Sequence, residues 1–426
     1  MSSHTCLVPI GLLLSTSAVE AVQRRTVRTL VGSQMLGGLG VASGIAVSSL
    51  IAEEILGSPD LAGLANTAQV LGSALLSIPA ARLMAARGRR AGLVAAYLTG
   101  IAGAGLAIAA AALSSFLLLL VATALFGAST TANNQARYAA TDLAAPGRRG
   151  RALSVVVWAT TVGAVLGPNL LGIAGRLAQA WGLPTLSGAF LFSLGGFLLA
   201  AILLFFRLRP DPLVMARQVA ADAGATEQTH GSVRRGLRAI RRHPMAMLGL
   251  GAIAAGHTVM VSVMVMTPLH MAHGGAELRL IGLVISVHVL GMFAFSPAMG
   301  WLVDRFGGRP VVVGGGATLL GACLLASRAS EGWSAGLVAG LFLLGVGWSA
   351  TLVAGSTLLT AAVAQHERPG AQGASDLIMG LCAGLGGALS GVVVGGWGYP
   401  TLCLIAAALS VALALRALAF RPGRTS

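Results

Sequence analysis

The feature that most constrains this chain is a series of long apolar stretches that follow one another from residue 29 to residue 420. Of its 426 residues, 56% are hydrophobic and only 10% are charged. A stretch of about 18 or more apolar residues can cross a bilayer as an α-helix, which satisfies its backbone hydrogen bonds internally. We therefore predict an all-α integral membrane protein with twelve transmembrane helices. They are expected at residues 29–52, 61–84, 91–112, 115–139, 151–175, 186–207, 245–270, 278–303, 309–327, 333–362, 371–395 and 399–420.

A polar, arginine-rich segment divides these stretches into two groups of six. It contains Pro210, Pro212 and Pro244, which disfavour a continuous helix. The 59 glycines of the chain suit close packing of helices within each group, because small residues let membrane helices approach one another. The predicted organisation is an N-terminal extension at 1–28, a first six-helix bundle at 29–207, a cytoplasmic linker at 208–244, a second six-helix bundle at 245–420 and a C-terminal tail at 421–426.

The positive charges predict an orientation and exclude several functions. All 28 basic residues are arginine, so the chain lacks the lysine of an ATP-binding Walker A motif and of a Schiff-base catalyst. We therefore expect a monomeric protein that is not an enzyme and does not use ATP. The arginines cluster before the first stretch, after the second and the fourth, and in the linker. By the positive-inside rule both termini and the linker are cytoplasmic, and these clusters contact membrane lipids and not nucleic acid.

A short loop motif follows the eighth stretch. Residues 300–309 read G-x-x-x-D-R-x-G-x-R, and its defined positions are Gly300, Asp304, Arg305, Gly307 and Arg309. A degraded copy at 81–90 follows the second stretch. Related loops at corresponding places in two halves indicate an internal repeat.

The motif, the linker and the number of stretches together resemble the major facilitator superfamily. In the first copy Ala81 and Ala85 replace the motif's Gly and Asp, whereas the second copy is complete. The resemblance implies two six-helix bundles that rock about a central site and expose it to each side of the membrane in turn. Asp304 is predicted to cap a helix N-terminus across the interface between the bundles.

Soft donor atoms dominate the part of the chain where a substrate would bind. No Asp or Glu lies in the middle of a predicted transmembrane helix, which disfavours hard cations such as Mg²⁺ and Ca²⁺. Instead, Met260 and Met264 lie four residues apart on the seventh helix, and His288 and Met292 lie four apart on the eighth. Residues at this spacing share one helix face. Thioether sulfur and imidazole nitrogen favour a soft late transition metal, above all copper.

Methionine and histidine are also enriched around these two pairs. Residues 243–299 contain eight of the thirteen Met and five of the eight His. The alternative interpretation is that the methionines only fill gaps between helices, as most membrane methionines do. A possible metal relay comprises His257, His270, Met271 and His273.

The two pairs also resemble a narrower family, the CcoA-like copper importers of bacteria. In that family M-x-x-x-M on the seventh helix and H-x-x-x-M on the eighth bind copper. The resemblance implies that Met260, Met264, His288 and Met292 are the metal ligands. It further implies copper uptake across the inner membrane, with copper as substrate and no permanently bound cofactor. The imported copper would supply haem–copper cytochrome oxidase assembly.

Two other functions remain open from the sequence. Residues 163–168 read G-x-x-x-G-P, an element common in facilitators that export small organic molecules by exchange with protons, although Thr123 replaces the arginine of a second exporter motif. Asn133, Asn134 and Arg137 form a polar patch on the fourth helix that predicts either substrate contacts or hydrogen bonds between helices. The third possibility is a membrane receptor or assembly factor that transports nothing.

Overall fold

The computed structural model describes residues 16–57, 61, 63–222 and 232–420, and within these ranges the chain is helical without a β-strand. The N-terminal residues 1–15, the tail 421–426 and the linker segment 223–231 lie outside the described residues. The helices are α1 (Thr16–Leu56), α2 (Gly63–Arg87), α3 (Arg89–Ala112), α4 (Phe116–Ala139), α5 (Arg149–Asn169), α6 (Leu171–Ala180), α7 (Gly188–Arg207), α8 (Pro212–Asp222), α9 (Val233–Arg242), α10 (Pro244–His273), α11 (Leu278–Phe293), α12 (Ser296–Phe306), α13 (Gly308–Ser327), α14 (Ala335–Ala362) and α15 (Arg368–Ala419).

Eleven helical segments of the described chain are long and apolar enough to cross a membrane. The last of them, α15, contains two of the predicted helices, because Gly398 adopts φ +81° and interrupts the helical backbone between them. The eighth predicted helix is formed by α11 and α12 together, with a break at Ala294 and Phe295. Counting α15 as two crossings gives twelve, and the predicted all-helical membrane fold is confirmed.

The first helix extends beyond its predicted start. It begins at Thr16, so the boundary expected between residues 28 and 29 falls inside α1. The polar residues before the boundary continue the helix and contact the rest of the protein. Gln23 donates a hydrogen bond to the carbonyl of Ala140 at 2.7 Å, and Glu20 faces Arg24 one turn away. The described part of the N-terminal segment therefore belongs structurally to the first bundle.

Each group of helices has its own apolar core. In the first half, Phe126, Phe190 and Phe197 pack ring to ring, and Gly44 leaves the space that Phe126 occupies. In the second half, the core joins α10, α11, α13, α14 and α15. The linker helices α8 and α9, the start of α1 and the α4–α5 loop lie at one end of the bundles, which we call the linker side. The opposite end is the far side.

The two copies of the loop motif make the same turn in the two halves. Gly88 begins α3 with φ +89°, and Gly307 begins α13 with φ +85°. Residues with a side chain rarely adopt this left-handed backbone conformation, which glycine adopts without steric cost. The eighth position of the motif is therefore glycine in both copies, even though the first copy has lost its Gly and Asp at other positions.

The complete copy joins the two halves. Asp304 accepts hydrogen bonds from the backbone N–H groups of Gly150, at 2.8 Å, and Arg151, at 2.9 Å, at the start of α5. A carboxylate at this position satisfies free N–H groups and complements the helix dipole. Gly300 allows the approach, because a Cβ there would lie 2.1 Å from the hydroxyl of Ser154.

The two arginines of the same motif act within the second half. Arg305 lies over the ring of Trp301, with its guanidinium carbon 5.5 Å from the ring centroid. Arg309 donates hydrogen bonds to the carbonyls of Ala417 and Leu418 at the end of α15. These carbonyls have no partner within their own helix, so Arg309 caps its C-terminus.

A buried ion pair also connects the halves on the linker side. Arg137 of α4 donates to Asp376 of α15 at 2.8 Å, and both side chains are almost fully buried. Gln135 donates to the other oxygen of Asp376 at 2.7 Å. The buried Arg89 donates to both oxygens of Asp142 and to Gln372 of the second half. This network fixes α3, α4 and α15 relative to one another.

An apolar layer surrounds the ion pair. Tyr138 of the first half packs with Leu250, Leu359 and Ala371 of the second half and with Ile240 of the linker helix α9. Polar and apolar contacts between the halves thus meet at one level of the bundle. The structure is therefore closed on its linker side.

We expect the Arg137–Asp376 pair to be a strong coupling between the halves. Asp376→Asn leaves Arg137 buried without a counter-charge, which should cost about 3–5 kcal/mol of stability. Arg137→Gln should cost a similar amount. The double variant should be less destabilised than the sum of the two single variants. Thermal unfolding of the purified protein in detergent measures all three.

The exposed pair Glu20–Arg24 provides the control, because its side chains are 60% and 65% exposed. Glu20→Gln should change the stability by less than about 1 kcal/mol. Additive effects of Arg137→Gln and Asp376→Asn would contradict the coupling.

Candidate substrate site

The four soft donors of the two sequence pairs lie at matching depths in the second half. Met260 and Met264 precede the far-side end of α10 at His273, whereas His288 and Met292 follow the far-side start of α11. At about 1.5 Å per residue, Met264 and His288 lie about 14–15 Å from these helix ends, and Met260 and Met292 about 20–21 Å. The antiparallel helices thus bring the pairs to two common levels.

His288 is the most distinctive residue of the four. Its side chain is 1% exposed, and its Nδ1 lies 2.8 Å from the carbonyl oxygen of Leu341 in α14. Its Nε2 is buried without a hydrogen-bond partner. Because a carbonyl can only accept, Nδ1 carries a proton, and in the neutral imidazole Nε2 then presents a free lone pair. Histidine ligands of metals are usually oriented in this way by a carbonyl or carboxylate at the other ring nitrogen.

The three methionines belong to the apolar core of the second half. Met260 is buried, and Met264 and Met292 pack against the same core with half-buried side chains. The helices α10 and α11 touch each other little, and each packs extensively on α14. The close approach of α11 and α14 depends on Gly345, where a Cβ would lie 2.4 Å from the carbonyl oxygen of His288. The two pairs are therefore positioned through α14.

An aromatic cluster that the sequence analysis missed lies beside both pairs. The indole N–H of Trp348 in α14 donates to Nδ1 of His257 at 2.7 Å. The ring of Phe293 meets the same indole edge to face, with centroids 5.5 Å apart. His257 precedes Met260 by one turn of α10, and Phe293 directly follows Met292. Trp348 consequently spans the segments that carry the two donor pairs.

The four residues of the predicted metal relay lie in different surroundings. His257 uses Nδ1 to accept the indole hydrogen bond, so its Nε2 carries a proton and offers no lone pair to a metal in this state. His270 is 7% exposed and stacks on Tyr399 of α15, with ring centroids 4.2 Å apart. Met271 is fully buried in the core. His273 is the one residue of the four that is exposed at the far side.

The polar patch of α4 makes hydrogen bonds to other side chains. Asn133 accepts from the hydroxyl of Tyr97 in α3 at 2.7 Å, and Asn134 accepts from Arg137 at 3.0 Å. Arg137 also forms an ion pair with Asp376 of α15. In this state the patch joins helices and halves, which agrees with the second of the two alternatives from the sequence.

The G-x-x-x-G-P element of the fifth helix packs against α1. A Cβ at Gly163 would lie 2.3 Å from the backbone of Gly38, and one at Gly167 would lie 2.8 Å from the Cβ of Ala42. Close packing of this kind is the usual role of paired small residues in membrane helices. The element accounts for the contact of α1 with α5 without any substrate.

Clusters of the usual metal-binding side chains are absent from the described part of the chain. The described residues contain no group of three or more His, Cys, Asp and Glu side chains that could hold an ion. Cys323 and Cys403 are buried, and Cys382 is half-buried.

Comparison with known proteins identifies the family of the chain. The chain is 38% identical to the MFS-type transporter YdeG of Bacillus subtilis over 403 residues, which cover 92% of this chain and 91% of the relative. It is 31% identical to the riboflavin transporter RfnT of Brucella anthropi over 360 residues, with 84% and 85% covered. Its fold is similar to the crystal structure of the human organic anion transporter MFSD10, with a TM-score of 0.71 and 17% identity over 93% of this chain and 99% of that chain.

The family model of the Major Facilitator Superfamily matches residues 30–278 and 257–426, which together span nearly the whole chain. The match includes both halves, the linker and both loop motifs. Both relatives are also named as transporters. The chain belongs to the Major Facilitator Superfamily and is a membrane transporter.

Proposed function

We propose that this transporter takes up copper by alternating access and binds it through Met260, Met264, His288 and Met292. The observation that carries the proposal is the state of His288, whose Nδ1 is held by a carbonyl while Nε2 is buried with no partner. A buried polar atom without a partner is costly in an apolar core. A metal ion that accepts the lone pair of Nε2 removes this cost.

The chemistry of the donors suits transport more than storage. Thioether sulfur is uncharged, so a methionine binds copper without losing a proton and releases it without gaining one. Imidazole differs, because protonation of Nε2 would expel the metal. His288 is therefore the residue at which a proton gradient could act on release.

The orientation follows from the arginines. The linker side carries Arg-rich loops, and such loops are usually cytoplasmic, so we assign this side to the cytoplasm. The contacts between the halves close that side, and copper would then enter from the far side. We place the protein in the inner membrane of a bacterium with both termini in the cytoplasm. There the imported copper would serve haem–copper cytochrome oxidase assembly.

Replacing a sulfur or imidazole donor while keeping the side-chain volume similar should slow copper uptake strongly. Met264→Leu and Met292→Leu conserve the packing to within about 1.5 kcal/mol but remove a soft donor. His288→Asn retains a donor for the carbonyl of Leu341 and removes the lone pair of Nε2. We expect each variant to lower the initial rate of copper uptake into proteoliposomes by about tenfold or more, since one lost ligand costs more than about 1.4 kcal/mol.

Met266→Leu is the matched control, because Met266 lies in α10 and packs on the same core but is not in either pair. This variant should take up copper at the wild-type rate. Equal uptake by wild type, Met264→Leu, Met292→Leu and His288→Asn would contradict the proposed ligands.

Transport of an organic molecule is the second candidate function. The relative named as a riboflavin transporter is 31% identical, and the Trp348–Phe293 cluster could stack on a planar ring. The name of that relative gives no direction of transport, and the G-x-x-x-G-P element favours the proton-coupled efflux of a small organic molecule. The aromatic cluster supports binding of a substrate with a planar ring. Such a substrate gives no role to the free Nε2 of His288.

A measurement of riboflavin uptake distinguishes copper transport from transport of an organic molecule. We expect proteoliposomes that accumulate copper to accumulate no riboflavin, and excess riboflavin to leave copper uptake unchanged. Radiolabelled riboflavin uptake and copper uptake are measured on the same preparation. Riboflavin uptake by the wild type that is lost in Trp348→Leu and retained in Met264→Leu would favour the organic substrate.

A further inference from the structure

A cavity of about 760 Å³ lies on the linker side, away from the donor pairs. Its walls come from both halves and from the linker. The start of α1 forms one wall, the α4–α5 loop and the start of α5 form a second, and the linker helix α8 forms a third. The second half contributes Gln365 and Arg368, which lie where α14 passes into α15.

The cavity carries a large excess of positive charge. Its lining includes two carboxylates, and both are already paired. Glu20 faces Arg24, and Asp142 is held by the fully buried Arg89, which is not part of the lining. The lining arginines are Arg24, Arg28, Arg148, Arg149, Arg151 and Arg368.

Several polar atoms at the cavity have no partner within the described chain. Nε of Arg149, Oε1 of Gln23 and Nε2 of Gln365 are buried without a hydrogen bond. Arg368 is 7% exposed and donates hydrogen bonds to the carbonyl of Val363 and to Oε1 of Gln365. The two unpartnered donors, on Arg149 and Gln365, lie among the lining arginines and favour an anion that accepts hydrogen bonds.

The remaining walls are apolar. Val19, Val27, Leu143, Val155 and Val219 line the space between the arginines. The volume lies within the range of about 300–1,000 Å³ that is usual for small-molecule sites. A ligand that suits this cavity therefore combines an anionic head with an apolar or compact organic body.

We propose that this cavity binds a phosphate-bearing anion. Guanidinium groups match phosphate oxygens with paired hydrogen bonds, and basic pockets on the cytoplasmic side of membrane proteins bind lipid phosphates. The headgroup of an anionic phospholipid and a soluble phosphate compound share this chemistry. An anion in this position contacts Arg28 and Arg149 of the first half and Arg368 of the second half. It therefore stabilises the state that is closed on the linker side.

The test compares two charge-matched double variants of the full chain in neutral detergent. The cavity variant is Arg28→Gln with Arg148→Gln, because both side chains are exposed and line the cavity. The control variant is Arg25→Gln with Arg82→Gln, because both arginines are exposed on the linker side and lie outside the lining. Thermal unfolding is followed with added phosphatidylglycerol, with phosphatidylcholine and with inorganic pyrophosphate.

We expect phosphatidylglycerol or pyrophosphate to raise the unfolding midpoint of the wild type and of the control variant. The dissociation constant should rise by about tenfold or more in the cavity variant, since each lost arginine weakens binding by about 1 kcal/mol. Stabilisation by phosphatidylglycerol and not by pyrophosphate identifies a lipid headgroup, and the reverse identifies a soluble phosphate. Equal stabilisation of both variants, or no shift with either anion, would overturn the proposal. Neither result depends on copper transport.

Discussion

The structure depends above all on a charged contact that is buried between the two halves. Arg137 and Asp376 face each other where almost no water reaches, and neither side chain could stay there ionised without the other. Asp304 adds a helix cap across the same interface, and Tyr138 adds apolar contact. Because these interactions gather on the linker side, they hold that side closed.

The fold could be predicted from the sequence because its determinants are local. An apolar stretch of membrane length can form only a helix, and Gly398 shows how one residue separates two of them. Gly88 and Gly307 make the same turn in the two halves, which the repeated loop motif indicated. The sequence analysis placed the start of α1 too late, because a hydropathy pattern detects apolar helices and the first residues of α1 are mostly polar. Residues 16–28 continue α1 because contacts such as that of Gln23 with Ala140 hold them against the first bundle.

The candidate site could be predicted only in part. The spacing of Met264 and His288 with their partners places donors on helix faces, and the structure sets the two pairs at common depths. Trp348 carries no motif, and its role arises only from contacts with His257 and Phe293 on other helices. The surroundings of the predicted relay residues could not be read from the sequence for the same reason. The spacing of residues along one helix does not reveal that the ring of Tyr399, on another helix, stacks on the ring of His270.

The central claim is that copper is bound by sulfur and imidazole in the second half of the protein. X-ray absorption spectroscopy of the copper-loaded, purified transporter reports these ligands directly. The account predicts sulfur scatterers together with an imidazole, and a loss of the imidazole signal in His288→Asn. A spectrum with only oxygen or nitrogen neighbours, or one unchanged by removal of His288 and the three methionines, would contradict it.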